Sequence, residues 1–511
     1  MSRGSLIRSV SAPALAAVLL LGGAVVPPSP AVASSTISVT TFADATTGDG
    51  RCSLREAVLA ANLDRSVDAC SAGRGADTIL LREGTYRLER KGSNEDAGLT
   101  GDLDITADVT IRGVSAARTA IDAAGLDDRV LDILGSAKLE LGYLTVSHGG
   151  LYEYGHGRSE GGGIASTGEL VLRHVAVTDN QATGDGGGIA SSGRLTLSDC
   201  RVAWNTSGPN HGGGGIWTTG TTSVSHSVIE DNHAIDGDGA AGIASPGQLT
   251  LSKSVVRRNV GSGEWTPGGV SMHGGLIRDT TIADNRSGGL GTGGVVLGGG
   301  ATLVRSTVSG NVGGAEGGAG GVLAIDSEIS DSTISGNRGG SSMDNGMMTP
   351  TAAGVFSTRS YIRASTITDN TSTAQDGAPA GGLYADIGTH LRGTIVAGNR
   401  GPAWGGQDCA GTLVSDGFVL VADTSGCSIR SRPTDILRRD PRLGPLADNG
   451  GPTRTHALRP GSPAIDAWPV VQGTRCTGCP AIDQRGVRRP ATGGEHDPVS
   501  CDIGSVEMGD R

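Results

Sequence analysis

The sequence predicts an all-β chain: a single-stranded parallel β-solenoid with three short strands per coil, a short N-terminal capping helix and a C-terminal capping region. Three observations carry this. Glycine is 87 of 511 residues, more than twice its usual share of about 7%. Aromatics are scarce, with 5 Trp, 6 Tyr and 3 Phe, so the interior must be built from thin aliphatic layers. And a unit recurs every roughly 25 to 33 residues, as in Gly-Gly-Gly-Ile-Ala-Ser-Thr-Gly from Gly161 and Gly-Gly-Gly-Ile-Ala-Ser-Ser-Gly from Gly186.

Stacking the units gives four ladders. The first follows Gly directly: Ile164, Ile189, Ile216, Ile243, Val270, Val295, Val322, Val355 and Leu383. The second runs from Leu172 and Leu197 to Ile362 and Leu391. The third is always β-branched, from Val177 and Val202 to Ile367 and Val396. The fourth is Asn, three residues after the third, from Asn180 and Asn205 to Asn370 and Asn399. Local alternation in Leu170-Val171-Leu172 and Val175-Ala176-Val177 has the period of strands. Each unit therefore donates three strands to one interior. The glycine before the first ladder predicts a positive φ or a tight corner. The Asn ladder predicts a corner where amides hydrogen-bond along the stack. Cys200 falls level with Ser227, Ser254 and Thr280, which predicts a buried, unreactive thiol. A leucine-rich repeat shares the period but needs helix-forming stretches that these units lack.

A solenoid has open strand edges at its ends that must be covered. At one end Ser53 and Glu56 form a capping box, and Leu54, Ala57, Val58 and Ala61 share a helical face suited to close the first coil. Residues 1–33 read as a secretory signal: Arg3 and Arg8, an apolar run from Ala14 to Val26, and Ala31-Val32-Ala33 as the cleavage site. The divisions follow: 1–33 signal, 34–135 N-terminal cap and first irregular coils, 136–405 repeats, 406–511 C-terminal region. The expected chain is secreted or cell-surface associated, monomeric, and without a transmembrane span after cleavage. Eight cysteines fit an oxidising compartment. Proximity suggests Cys52 with Cys70, Cys409 with Cys427, and Cys501 with Cys476 or Cys479. Cys476-x-x-Cys479 also has zinc-ligand spacing, but no histidine motif completes a set.

Cys52-Ser53-Leu54-Arg55-Glu56-Ala57 resembles the N-terminal motif of the bacterial CSLREA domain, and Gly101-Asp102-Leu103-Asp104-Ile105 is similar to a stretch that follows it. Asp440-Pro441-Arg442-Leu443-Gly444-Pro445-Leu446, Gly461-Ser462-Pro463-Ala464-Ile465-Asp466 and Cys501-Asp502-Ile503-Gly504 resemble the choice-of-anchor Q region. The middle resembles the right-handed parallel β-helix repeats of the pectin-lyase-like fold. The resemblance implies a right-handed helix and a secreted or surface-associated bacterial protein.

Function is less legible. A net charge of −11 without a basic stripe argues against nucleic acid. The signatures of pectate lyases and polygalacturonases occur only as fragments, such as Asp127-Asp128 and Gly155-His156-Gly157, so no catalytic residue is assigned. The variable segments between each ladder Asn and the next Gly project from one edge. They and their flanks carry Tyr152, Tyr154, Trp204, His211, Trp217, Asp236, Asp238 and Trp265, the candidate ligand-binding residues. Aromatic faces beside carboxylates and His suit sugar rings. The expected partner is a cell-envelope or extracellular polysaccharide. The favoured role is structural, adhesive or glycan-contacting without catalysis; the alternative is a polysaccharide lyase or glycoside hydrolase. No cofactor is expected, with calcium at Asp236-Gly237-Asp238-Gly239 the one metal considered.

Overall fold

The computed structural model describes residues 34–92, 95–151, 159–339, 343–344, 347–348, 352–372, 380–402, 405–469, 478–490 and 500–508. The predicted signal segment, Tyr152, Tyr154 and Cys476 lie outside them. The chain winds as a right-handed parallel β-helix. In the repeats each turn lays one strand on each of three faces. On the first face, Ile164–Ser166, Ile189–Ser191 and Ile216–Thr218 pair in parallel and in register. On the second, Glu169–Arg173, Arg194–Ser198 and Thr221–Ser225 do the same. The third face is a 14-stranded parallel sheet that begins at Gly84–Arg87 and ends at Ile436–Leu437. The three aliphatic ladders all point inward and are fully buried. Each such side chain contributes about 1.5–3 kcal/mol by leaving water.

The fourth ladder turns the corner between the third face and the next coil. Asn232 Nδ2 donates to Asn259 Oδ1 (2.9 Å) and to Val202 O (3.0 Å), and the Asn232 backbone N–H donates to the same Oδ1 (3.1 Å). The motif repeats from Asn180 to Asn370. At Asn399 the acceptor becomes Asp408 Oδ1 (3.0 Å). These amides are buried, so each is a satisfied polar group in an apolar rod.

The glycine before the first ladder is required by close approach. A Cβ on Gly215 would fall 2.7 Å from Gly242 O and 2.9 Å from Asn232 Nδ2. The positive φ sits two residues earlier, at Gly161, Gly186 and Gly213. Of the two reasons the sequence offered for this glycine, the tight corner is the operative one. Cys200 is buried in a parallel stack of small polar groups: its N–H donates to Ser227 Oγ (3.1 Å), and the Ser227 N–H to Ser254 Oγ (3.1 Å). Burial pushes its thiol up to about 11, which makes it inert at neutral pH.

At the N-terminal end, the helix Leu54–Asn62 carries the complete capping box and packs on the first strand of the first face, Leu103–Ile105. That strand has a free edge. Asn62 fills it as a neighbouring strand would: its Nδ2 donates to Asp104 O (2.7 Å) and its Oδ1 accepts from Thr106 N (3.0 Å). Arg55 has no exposed side-chain surface and pairs with the equally buried Asp44 (2.6 Å). Its guanidinium also donates to the carbonyls of Gly98, Gly101 and Asp102. Burial works to raise the Asp44 carboxyl, but the hydrogen bond and charge of Arg55 outweigh it and hold the group below its usual value. The Cys52–Cys70 disulfide fastens the helix start.

After the disulfide Cys409–Cys427, the chain folds back along the outward side of the third face. Thr333 Oγ1 donates to Gln484 Oε1 (2.6 Å), Gln484 Nε2 to Ser306 O (3.1 Å) and Ser505 N to Thr366 Oγ1 (3.1 Å). Trp468 is buried against Phe418, with ring centroids 5.4 Å apart. Cys479 pairs with Cys501, one of the two partners the sequence left open.

Two outcomes test this frame. Asn259→Ala orphans the Asn232 amide and the Ile229 carbonyl, and is expected to cost on the order of 3 kcal/mol and to lower the melting temperature; unchanged melting would deny the amide ladder a stabilising role. Arg55→Met strands the buried Asp44 charge, and is expected to cost about 3–5 kcal/mol, measured by denaturant titration of the N-terminal coils.

Candidate functional site

On a first-face strand the residue after the inward aliphatic points outward, because strand side chains alternate. These residues form a second ladder on the outside: Asp104, Asp132, Ala165, Ala190, Trp217, Ala244, Ser271, Val296, Leu323, Phe356 and Tyr384. Each is in register with the next. It begins acidic, becomes small, is interrupted by one Trp, and ends apolar, with Phe356 and Tyr384 stacked at 5.3 Å.

The small members leave hollows on either side of Trp217. One, about 400 Å3, is lined by Glu160, Ala165, Ala190, Trp217 and hydroxyl-bearing residues including Thr167, Ser192 and Thr219. The other, about 380 Å3, is lined by Trp217, Asp238, Trp265, Ser271, His273, Leu290 and Val296 among others. Together they form a groove along the first face. The segments preceding each Gly wall one side, and the turns after each strand wall the other. Trp265 is 57% exposed, so its ring is available at the rim. Among the described residues, neither hollow is lined by Lys or Arg.

The structure therefore brings Trp217, Asp238 and Trp265 together. His211 lies one step back: its Nδ1 is 3.5 Å from Asp185 Oδ1, and its N–H donates to Asp236 O (2.7 Å). Burial raises the Asp185 carboxyl, only partly offset by the Gly212 N–H and His211. His211 and Asp236 brace the wall and line neither hollow. Trp204 does not join the group. It sits at the third-face corner beside Asn205, with the Arg201 guanidinium 4.0 Å from its ring centroid. Among the described residues, no third carboxylate, His or Cys gathers at Asp236 and Asp238. Among the described residues the carboxylates close enough to share a cation are Asp102, Asp104 and Asp132, whose oxygens lie within 4.8 Å of one another.

Asp104 and Asp132 are the acidic start of the outward ladder, and Asp102 lies beside them. Arg129 lies among them, its Nε 3.2 Å from Asp102 Oδ2 and its Nη1 3.1 Å from Asp132 Oδ2. Asp128 accepts from the Arg129 N–H (2.9 Å). Burial, then repulsion from Asp128, lifts the Asp102 carboxyl well above its ordinary value. Burial lifts Asp104 to about 7, with Asp132 adding to it against the Gly98 N–H. The cluster thus holds raised carboxyls, Asp104 at about 7, beside a fixed guanidinium. The sequence carried a signal for it: Leu-Asp-Ile occurs at both Leu103 and Leu131, one acid outward on each of two adjoining coils.

Fold and groove together define a parallel β-helix with a surface cleft along one face. No family model matches the chain, and no curated protein matches it in sequence. Among solved structures it is similar to the A-module of the Azotobacter vinelandii mannuronan C-5 epimerase AlgE4, at 17% identity over 77% of this chain and 98% of that one, with a TM-score of 0.39. It is also similar to pectate lyase Pel9A, at 13% identity over 93% of this chain and 96% of that one, with a TM-score of 0.33.

A carboxyl raised in the folded state binds its proton more tightly there than in the unfolded chain, so it penalises the fold once ionised. The penalty is absent below the ordinary value near 4, grows as pH rises, and is complete above about 7. Asp104→Asn is expected to melt like the parent at pH 4 and to exceed it at pH 8, by on the order of a few kcal/mol. Parallel melting curves across that range would contradict the assigned shift.

Proposed function

We propose that this chain is an extracellular β-helix protein that binds a neutral or amino-bearing polysaccharide along its first face. One observation carries the reading: Trp217 stands as the shared wall of two hollows on a straight ladder. The coil spacing, about 4.8 Å, is comparable with the advance of one sugar in an extended glycan. A ring set between hollows of this kind stacks on a sugar face while flanking acids and hydroxyls take its OH groups. Glu160 and Asp238, with no cation among the described residues lining either hollow, would repel a polyuronate.

The extracellular setting is supported by three disulfides, which persist in oxidising compartments. No helix among the described residues is long and apolar enough to cross a membrane. The motifs at the two ends support grouping the chain with CSLREA and choice-of-anchor Q proteins, secreted through residues 1–33 and monomeric.

A second reading is favoured by the acidic cluster. A carboxyl that burial lifts to about 7, as at Asp104, is of the kind that protonates a leaving oxygen in glycoside hydrolysis or moves protons in a polysaccharide lyase. In this reading Asp104 supplies the proton, and Arg129 orients the cluster.

The binding reading is tested on immobilised cellulose, xylan, mannan and chitin. At least one is expected to retain the protein, and Trp217→Ala is expected to weaken that retention about tenfold or more. Failure of all four, or equal retention of the variant, removes the groove as a glycan site. Product formation lost in Asp104→Asn would establish the second reading.

A further inference from the structure

The two hollows beside Trp217 differ in chemistry. The one toward the earlier coils is bordered largely by small residues and hydroxyls. The one toward the later coils is walled by Pro246, Trp265, Pro267, Leu290, Val296 and Leu323. Val296 and Leu323 are successive members of the outward ladder, so they form its floor. Trp217 closes the near end, and close packing holds its ring: a Cβ on Gly239 would fall 2.9 Å from Trp217 Cζ3 and 2.9 Å from Ala244 Cβ. A bare hexose does not call for such a chamber. Only its C–H faces are apolar, and one aromatic ring covers such a face. Apolar walls on several sides suit a methyl-bearing substituent, which they take out of water.

The polar groups of this hollow narrow the choice. Ser271 Oγ accepts from the Ala240 N–H (3.1 Å). Asp238 and His273 are exposed and line the hollow from opposite walls, Asp238 on the segment before a Gly and His273 in the turn after the strand Val270–Met272. Among the described residues, neither side chain makes a hydrogen bond or an ion pair. An ionised carboxylate only accepts, and an imidazole carries an N–H donor in either protonation state. An acetamido group presents the matching set: an N–H, a carbonyl oxygen and a methyl. An acetyl ester has no N–H for Asp238, a carboxylate is repelled by it, and an ammonium gains nothing from apolar walls.

Resting on the groove reading above, we propose that this hollow seats the acetamido group of an N-acetylhexosamine, so that the glycan taken along the first face is N-acetylated. Trp217 stacks on the sugar, Asp238 accepts the amide N–H, His273 donates to the amide carbonyl, and the methyl lies among Leu290, Val296 and Leu323.

The test is calorimetric titration of the full chain with three β-1,4-linked trisaccharides that differ at carbon 2: triacetylchitotriose (acetamido), chitotriose (ammonium) and cellotriose (hydroxyl). Triacetylchitotriose is expected to bind at least about tenfold more tightly than either of the others, since a buried methyl is worth roughly fourfold and a hydrogen bond to a charged group about tenfold. Asp238→Ala is expected to lower the ratio of triacetylchitotriose to cellotriose affinity about tenfold. Val296→Trp, outward on its strand, fills the hollow and is expected to bring that ratio to about one. Equal or tighter binding of cellotriose or chitotriose, or an unchanged ratio in either folded variant, overturns the inference and leaves the groove reading standing. So does failure of triacetylchitotriose while cellulose, xylan or mannan retains the protein. Failure of every glycan removes both. The probe comparison is made on the parent chain and holds even if a variant does not fold.

Discussion

The corner between the third and first faces is the constraint on which the rest of the rod depends. There the chain must turn sharply while keeping polar backbone satisfied inside an apolar stack. The Asn amide does this by bonding both along and across coils, and it fits only because the residue opposite has no side chain. Asn and Gly are thus one device in two parts. Gly215 leaves the room that Asn232 fills, and the contact is repeated coil after coil at nearly constant distance. Because the corner fixes the register, each aliphatic ladder stays indoors and each following residue stays out. The outward ladder of the first face is therefore as straight as the interior that sets it.

A rod whose register is so strictly propagated has its weak points at the ends, where no neighbour completes the backbone pairing. The N-terminal solution is local. Cys52, Ser53, Arg55 and Glu56 each serve the cap: a disulfide, both halves of a capping box, and a guanidinium that ties a buried acid to three carbonyls. Asn62 then presents one amide to the first strand where a whole coil would otherwise be needed. The motif is therefore accounted for by structure, and chemistry has to be sought elsewhere. The C-terminal segment works differently, lying along the third face and exchanging hydrogen bonds with Ser306, Thr333 and Thr366. That face is occupied over those coils, which leaves the first and second faces to meet other molecules.

The interior was legible because burial repeats. Ile189, Val202 and Asn205 recur in kind at each coil, so the ladders, the strand count per coil and the placement of Cys200 could be read from spacing. The helix cap was legible because a capping box is a local pattern. The groove was only half legible. Trp217, Asp238 and Trp265 stood out as rare residue types in projecting segments, yet attention to projections alone drew in Trp204, which braces a corner, and His211, which braces a wall. Period-two alternation placed Ala165, Ala190 and Trp217 on one outward line, but an alanine gives no sign of a hollow until its neighbours are known. The second-face cavity lined by Arg363, Arg392 and Arg432 was not legible at all. Arg363, Arg392 and Arg432 are far apart in sequence, and their meeting depends on the register of successive coils.

Regularity inside is what makes irregularity outside informative. The interior of the coils is filled mainly by aliphatic groups, Asn, Gly and small hydroxyls, so the stacking requirement does not explain a Trp, an Asp pair or an Arg pair placed outward in register. In-register like charges carry a cost on a sheet. At Asp104 and Asp132 that cost is met by Arg129, which pairs with Asp132, and by an Asp104 carboxyl that keeps its proton to a higher pH. At Arg363 and Arg392 a guanidinium cannot shed its proton near neutrality, so it is met by neighbours instead: Glu328 pairs with Arg363 at 3.7 Å, and Arg392 lies over the Trp468 ring. The two clusters therefore resolve the same electrostatic problem differently, the acidic one in part by protonation and the basic one wholly by the groups packed against it.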